Sequence, residues 1–455
     1  MILQKFISEG LAHNSYFLSA GGEAAVIDPR RDCDVYLDLA QSLQVRITHI
    51  FETHRNEDYI SGSSELAHRC NAGIYHGPNP AFSFGERVKE GDIFRLGGLE
   101  LKVLETPGHT LDSISISVAD RDVSPDVFLV FTGDALFAGD AGRTDFFGRD
   151  KTAWASGLLY DSIVNKILAA GDGAVILPAH GAGSVCGSDI TDHEFTTAGY
   201  EKATNPLLKM TRDEFIAHKV KEHHYLPPYF KKMEELNSTG APLIHHLPDI
   251  PAFNVRQMQE YIKKGAQVVD IRSPTSFAGG HIPETLSIWR DGIPAYAGWY
   301  LNYTDPIVLV DDFSLDLGDV IRHFTRLGYD NLAGYLSGGF PAWFRNGKEI
   351  GRIGAWSVKE LHERLGMRDL FVLDVRDIVN REKYGYIPGS THIYAGELPE
   401  LSGKVPKGMQ VAVYCDAGYK GGLAASYLRK LGYDNVANIL GGMGAWLKAG
   451  YAAER

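Results

Sequence analysis

The second half of the chain repeats itself. GYDNLAGYLSGGFPAWFRNG at 328–347 returns as GYDNVANILGGMGAWLKAG at 432–450, VVDIR at 268–272 as VLDVR at 372–376, and GHIPETLSI at 280–288 as GYIPGSTHI at 385–393. An offset near 104 residues is too long for a solenoid unit of about 20–50 residues and suits a duplicated small domain. Both copies carry a short apolar strand (PIVLV at 306–310, QVAVY at 410–414), and the second adds a helix-like stretch, LAASYLRKLG at 423–432. Strands alternating with helices predict an α/β fold with a parallel sheet in each copy.

The polar, Pro- and Gly-bearing stretch MEELNSTGAPLIHHLPDIP (233–251) marks a boundary before the repeat. A weaker break falls at NGKEIGRIG (346–354). Three domains follow, 1–240, 241–350 and 351–455, as expected for 455 residues at about 150 per domain. The first has its own pattern. Five apolar runs end in His or Asp: AAVID (24–28), ITHIFETH (47–54), LKVLETPGH (101–109), VFLVFTGD (127–134) and AVILPAH (174–180). Ligand sites gather at strand ends in α/β folds, so five such endings predict a metal site.

THRNEDY (53–59) resembles the T-H-x-H-x-D-H signature of the metallo-β-lactamase superfamily, and TPGHT (106–110), TGD (132–134) and PAH (178–180) follow in that superfamily's order and spacing. The resemblance covers nearly all of the first domain. It implies an αββα sandwich with metal at one edge. Two positions depart: Asn56 stands where the second His is usual, and Tyr59 where the third is usual. What remains is His54, His109 and Asp134. Two imidazoles and one carboxylate are the ligand set of mononuclear non-haem Fe(II) oxygenases, and catalytic zinc also accepts them. Within the superfamily this reduced set resembles the persulfide dioxygenases, as does GRTDF (142–146). The resemblance implies one Fe(II) per chain, with zinc as the alternative. It also implies that Arg143 holds the carboxylate of a thiol carrier through paired hydrogen bonds. Asp58 and His180, with Asn56 and Tyr59, then form the surroundings of the iron or the remnant of a second metal position. PAHGAGSVCG (178–187) brings Cys186 near His180, as in staphylococcal-type fusions. Its thiol would carry a persulfide, or else fill space as a small apolar group.

VAVYCDAGYKGG (411–422) runs strand, Cys415, glycine-bearing turn, helix. The turn's N–H groups and the positive end of the helix dipole favour thiolate, the nucleophilic form, and Lys420 adds a cation. This resembles the rhodanese loop C-x-x-G-x-R/K through Cys415, Gly418 and Lys420. Related phosphatase loops place the cation one residue later, where Gly421 stands. Aligned at the same offset, the middle domain has Asp311 opposite Cys415, Ser314 opposite Gly418 and Asp316 opposite Lys420. It is identified as a non-catalytic rhodanese-like domain.

The formal charge of −12 gives no global attraction for nucleic acid. No apolar run reaches the roughly 18 residues that span a bilayer, and the N-terminus lacks the basic start and apolar core of a cleaved signal peptide. Four cysteines are too sparse for a disulfide scaffold. A cytoplasmic chain without membrane or nucleic-acid partners is expected. The resemblances imply a bifunctional homo-oligomeric enzyme. Its first domain would oxidise a small-molecule persulfide, such as glutathione persulfide, with O2 to sulfite. Its third would pass sulfane sulfur through Cys415 to give thiosulfate. Two readings compete: a zinc thioester hydrolase of glyoxalase II type, and a degenerate metal domain serving as scaffold for a Cys415 sulfurtransferase.

Overall fold

The computed structural model describes residues 1–455 except 79–81, 188, 194, 314 and 315, so Ser314 lies outside the described residues. The chain divides into two compact units, Met1–Leu247 with Thr325–Gly328, and Pro248–Phe324 with Tyr329–Arg455. The first unit runs past residue 240 because Glu65 accepts the Ile244 amide at 2.8 Å and Arg31 donates to the Pro242 carbonyl at 2.8 Å.

The first unit is built on two six-stranded sheets. One takes Ile2–Ser8, His13–Ala20, Glu23–Ile27, Arg46–Phe51, Gly73–His76 and Glu86–Arg87 in chain order. The other runs Thr196–Thr197, Val175–Pro178, Val127–Gly133, Ile114–Asp120, Leu99–Glu105, Ile93–Leu96. Side-chain alternation decides the layers. Tyr16, Leu18, Ala25 and Ile27 meet Leu101, Val103, Ile116 and Phe131 in the core shared by both sheets. Their neighbours Phe17 and Val26 pack instead with Tyr36 and Leu66 of the helices Asp34–Leu43 and Ser63–Cys70. Val130 and Ile176 pack with Leu159 and Phe215 from the helices Thr152–Ser162 and Arg212–Lys219. Helix, sheet, sheet, helix is the resulting sandwich.

The second unit holds two five-stranded sheets of one topology. One is ordered Ala252–Phe253, Leu332–Leu336, Ile307–Val310, Gln267–Asp270, Leu286–Ser287, and the other Gly354–Trp356, Val436–Ile439, Gln410–Tyr414, Leu370–Asp374, Thr391–His392. Every pairing in both is parallel. The repeat in the sequence is thus a repeat of architecture. Among the described residues, no helix is long and apolar enough to cross a membrane.

Candidate metal centre and thiol loop

In the first unit His54 sits just beyond the strand Arg46–Phe51. Asp28 accepts both the Thr53 amide (2.7 Å) and the Thr53 hydroxyl (2.8 Å). With that hydroxyl proton committed, His54 Nδ1 donates to Thr53 Oγ1 at 3.0 Å, which leaves a lone pair on Nε2. His109 reaches the same state by another route: its Nδ1 donates to the Arg143 carbonyl at 2.9 Å. Asp134 directly follows the strand Val127–Gly133. Gly133 there has φ +54°, and a Cβ would lie 2.6 Å from the Thr53 hydroxyl oxygen, so only glycine lets this strand end approach the His54 loop.

His54 Nε2 and His109 Nε2 lie 3.6 and 3.5 Å from Asp134 Oδ2. That is too long for hydrogen bonds. It is close to the edge of a coordination polyhedron, because donors about 2.1 Å from a metal sit about 3.0–3.5 Å apart. Burial pushes His54 down to about 3 and lowers His109 as well, so both imidazoles are neutral. Burial alone would raise Asp134, but the charge and hydrogen bond of His180 override it and hold its carboxyl well below the usual range. Two neutral imidazoles and a carboxylate are a metal's donor set. Among the described residues, His109 Nε2, Asn56 Oδ1, Glu57 Oε2 and Asp58 Oδ1 are buried without a hydrogen-bond partner. Buried polar atoms are rarely left so, and this concentration fits a cation.

His180 stands between two carboxylates. Its Nδ1 donates to Asp134 Oδ1 at 2.7 Å, and its Nε2 lies 3.1 Å from Asp58 Oδ2. Burial favours the neutral ring, yet Asp134 and Asp58 raise His180 well above its ordinary value. Cys186 is brought to this corner: its sulfur lies within 4.8 Å of donors of Asp58 and His180, and of His109 and Asp134. Burial, then Asp134 and Asp58, push its thiol well up. Tyr59 is buried, its ring 3.9 Å between centroids from that of His13. Burial and nearby carboxylates raise its hydroxyl well above 10, so it is a phenol and no substitute for an imidazole.

Arg143 differs from expectation. It is buried, and its guanidinium donates to both Asp145 oxygens (2.7 and 2.8 Å) and to the carbonyls of Val185 and Tyr225 (3.2 Å each). Its amide donates to the Cys186 carbonyl at 3.1 Å. These bonds tie the loop of Cys186 to the loop following Asp134, and they occupy the fork that a substrate carboxylate would need.

Sequence reading passed over two residues here. Glu57 joins His54 and His109 in a group whose donor atoms all lie within 4.8 Å of one another. Asn237, on the helix Phe230–Thr239, donates to the carbonyls of Asn56 and Tyr59 (2.7 Å each) and accepts the Ser61 amide at 2.9 Å. Glu57 had a signal in its position inside the motif. Asn237 had none.

In the second unit Cys415 follows the strand Gln410–Tyr414 and precedes the helix Tyr419–Lys430. Gly418 adopts φ +98° and turns its amide to donate to the Cys415 sulfur at 3.0 Å. Lys420 Nζ lies 3.0 Å from Asp416 and 3.4 Å from Asp377. The turn amides and Lys420 act on the Cys415 thiol in the expected direction, against burial. Burial raises the Cys415 thiol and outweighs the amides of Gly421, Ala417 and Gly418 and the charge of Lys420. Cys33 is likewise pushed up by burial, to about 12. In the middle domain Asp311 follows Ile307–Val310 and Asp316 stands before the helix Gly318–Arg326, so neither thiol nor cation is present at those positions.

Comparison with known proteins matches the Metallo-beta-lactamase superfamily to residues 9–180 and the Rhodanese-like domain to residues 254–346 and again to 357–449. The chain is 30% identical to the human mitochondrial persulfide dioxygenase ETHE1 over 203 residues, 43% of this chain and 70% of that protein. It is 28% identical to the hydroxyacylglutathione hydrolase GloC of Haemophilus influenzae over 207 residues, 41% of this chain and 87% of that one. A solved metallo-beta-lactamase from Staphylococcus aureus is similar over 74% of this chain and 99% of its own, at 31% identity and a TM-score of 0.65.

Proposed function

Because the chain belongs to the metallo-β-lactamase superfamily in its first unit and carries two rhodanese-like domains in its second, we propose that it is a persulfide dioxygenase joined to a sulfurtransferase. The observation that carries this reading is the reduced donor set. His54, His109 and Asp134 converge while Asn56 and Tyr59 withhold the imidazoles of a dinuclear hydrolase. The similarity to persulfide dioxygenase ETHE1 supports it.

These three residues would hold one Fe(II), which supplies redox chemistry with O2 and open positions for substrate. The chain's own residues set the conditions. Thr53 and the Arg143 carbonyl orient the two imidazoles, an arrangement that fixes ring tautomers around metals. His180 keeps a proton between Asp134 and Asp58. The substrate is a small thiol persulfide such as glutathione persulfide. With O2 and water it gives thiol, sulfite and two protons. At the second site the Cys415 thiolate attacks the outer sulfur of a second small-molecule persulfide, whose S–S bond breaks to release its thiol, leaving the sulfane sulfur on Cys415. The Gly418 amide faces the cysteine sulfur, and Lys420 attracts the anionic acceptor. Sulfite attacks the outer sulfur, the S–S bond breaks, thiosulfate leaves, and Cys415 returns as thiolate. A homo-oligomer in a reducing, cytoplasmic setting belongs to the same reading.

The likeness to hydroxyacylglutathione hydrolase GloC favours a second reading, zinc-dependent thioester hydrolysis in the first unit. The deciding measurement is oxygen uptake by iron-loaded protein given glutathione persulfide. Uptake with sulfite or thiosulfate formation, lost in His109→Ala, is the expected result. No uptake, together with thioester hydrolysis by the zinc-loaded protein, would overturn it. A third result, sulfur transfer at Cys415 that neither His54→Ala nor His109→Ala alters and no activity of the first unit, would make that unit a scaffold.

A further inference from the structure

We propose that Glu57 is a direct ligand of the metal, supplying the donor that Asn56 withholds. The inference rests on the metal-site reading above and adds a fourth protein donor to it. Glu57 lies between two altered motif positions, Asn56 and Tyr59, in the turn leading from His54. Its donor oxygen, one donor nitrogen of His54 and one of His109 all lie within 4.8 Å of one another. Three donors about 2.1 Å from one ion lie about 3.0–3.6 Å apart, so a pair at the 4.8 Å limit must close by up to about 1.8 Å for all three to share one ion.

The environment of Glu57 leaves one oxygen without a protein partner. The side chain is buried, with the residue 2% exposed. Oε1 accepts from Arg55 Nη2 at 3.3 Å. Oε2 is buried and has no hydrogen-bond partner among the described residues. A carboxylate stripped of water on one oxygen needs a cation or a donor there. Asn56 Oδ1 is also bare, but an amide oxygen is neutral and competes poorly with a carboxylate for a divalent ion. Arg55 is itself shared, since the same nitrogen also pairs with Glu234, which weakens its hold on Glu57. The resulting set, His54, His109, Asp134 and Glu57, is richer in oxygen than the two-imidazole, one-carboxylate set. Imidazole suits iron as well as zinc and copper, and added carboxylate shifts a site toward harder ions such as manganese.

The test is anaerobic titration of the full-length, metal-free protein with Fe(II), and with Co(II) for its visible spectrum, each in competition with a chromophoric chelator. Wild type, Glu57→Gln and Arg55→Gln are compared, with thermal unfolding of each metal-free protein as the folding control. Glu57→Gln is expected to weaken metal binding by at least about tenfold, the lower bound for losing even an indirect partner of a metal, and to change the Co(II) spectrum. Arg55→Gln is expected to retain the wild-type spectrum and affinity, because it leaves the carboxylate in place. Equal losses in both variants would show that the Arg55–Glu57 pair only braces the turn, and would overturn the inference. So would an unchanged affinity in Glu57→Gln. If Glu57→Gln does not fold, Glu57→Asp serves: it keeps the charge but shortens the reach by one methylene, and unchanged affinity there overturns the inference equally. Failure of the wild-type protein to retain either metal would overturn the metal-site reading, and this inference with it.

Discussion

The two rhodanese-like domains carry the same scaffold and differ at one strand end. In each, the strand leads into a loop whose first carbonyl accepts a distant amide: Met443 donates to Cys415 at 2.7 Å, and Phe340 donates to Asp311 at 2.8 Å. In each, a buried tryptophan closes the domain. Trp446 donates to the Ala452 carbonyl at 2.9 Å and Trp343 to that of Glu349 at 2.7 Å. In each, an Asp-x-Arg pair locks a turn: Arg376 donates to Asp374 and the Gly385 carbonyl, Arg272 to Asp270 and the Gly280 carbonyl. The loops then part ways. One offers a thiol facing an amide and a cation. The other offers Asp311 and Asp316, which repel an anionic sulfur compound. Scaffold and chemistry are separable here, because the scaffold is maintained by buried strands while the chemistry occupies six residues beyond one of them.

The sharpest way to break this contrast is Cys415→Ser. Loss of the nucleophile is expected to lower thiosulfate:cyanide sulfur transfer by at least about a thousandfold, as for nucleophile removal elsewhere. A loss under tenfold would mean that another thiol carries sulfur. Next in size, Trp446→Ala and Trp343→Ala should each destabilise their domain by about 3–5 kcal/mol. Denaturant unfolding followed domain by domain would read this, and a markedly smaller effect at Trp343 would show that the middle scaffold is looser than its twin. Asp311→Cys is expected to leave sulfur transfer in a Cys415→Ser background at zero, because Asp316 stands where a cation is needed. Measurable transfer there would show that the thiol alone suffices.

The smallest expected effect is in acid. Burial alone would raise Asp374, but Arg376 and Tyr414 override it and hold its carboxyl below the usual range. For Asp270 burial wins over Arg272, and its carboxyl is raised. Asp374 therefore stabilises its domain above the ordinary carboxylate range, and this is lost as pH falls through its lowered value. Asp270 behaves oppositely: its contribution is full in acid and lost as pH rises through its raised value. Amide exchange, corrected for intrinsic rates, should show the third domain losing protection relative to the middle domain as pH falls toward about 4. Parallel loss in both would remove the distinction.

The duplicated architecture was readable because strand, turn and helix recur within each copy, so local patterning repeats with the fold. The thiol loop was readable for the same reason: Cys415, Gly418 and Lys420 are separated by a few bonds, and their meeting needs only one turn. His54, His109 and Asp134 were readable as strand endings. Their neighbours were harder. Asn237 reaches Asn56 across 181 positions, and no local pattern announces such a contact. Arg143 read as a carboxylate receptor because Arg suits that task, but Asp145, two positions on, and carbonyls 42 and 82 positions away occupy it.

The sequence by itself determined the repeat of the parallel-stranded sheet, the place of the Cys415 loop, and which strand ends carry imidazole and carboxylate, since each depends on residues near one another along the chain. Only the tertiary structure decided protonation and engagement. It set the two imidazoles neutral with Nε2 turned inward, brought Cys186 and Glu57 to the metal corner, and raised the Cys415 thiol despite a loop arranged to lower it. Those outcomes depend on burial and on charges from distant segments, and desolvation is a property of the packed whole.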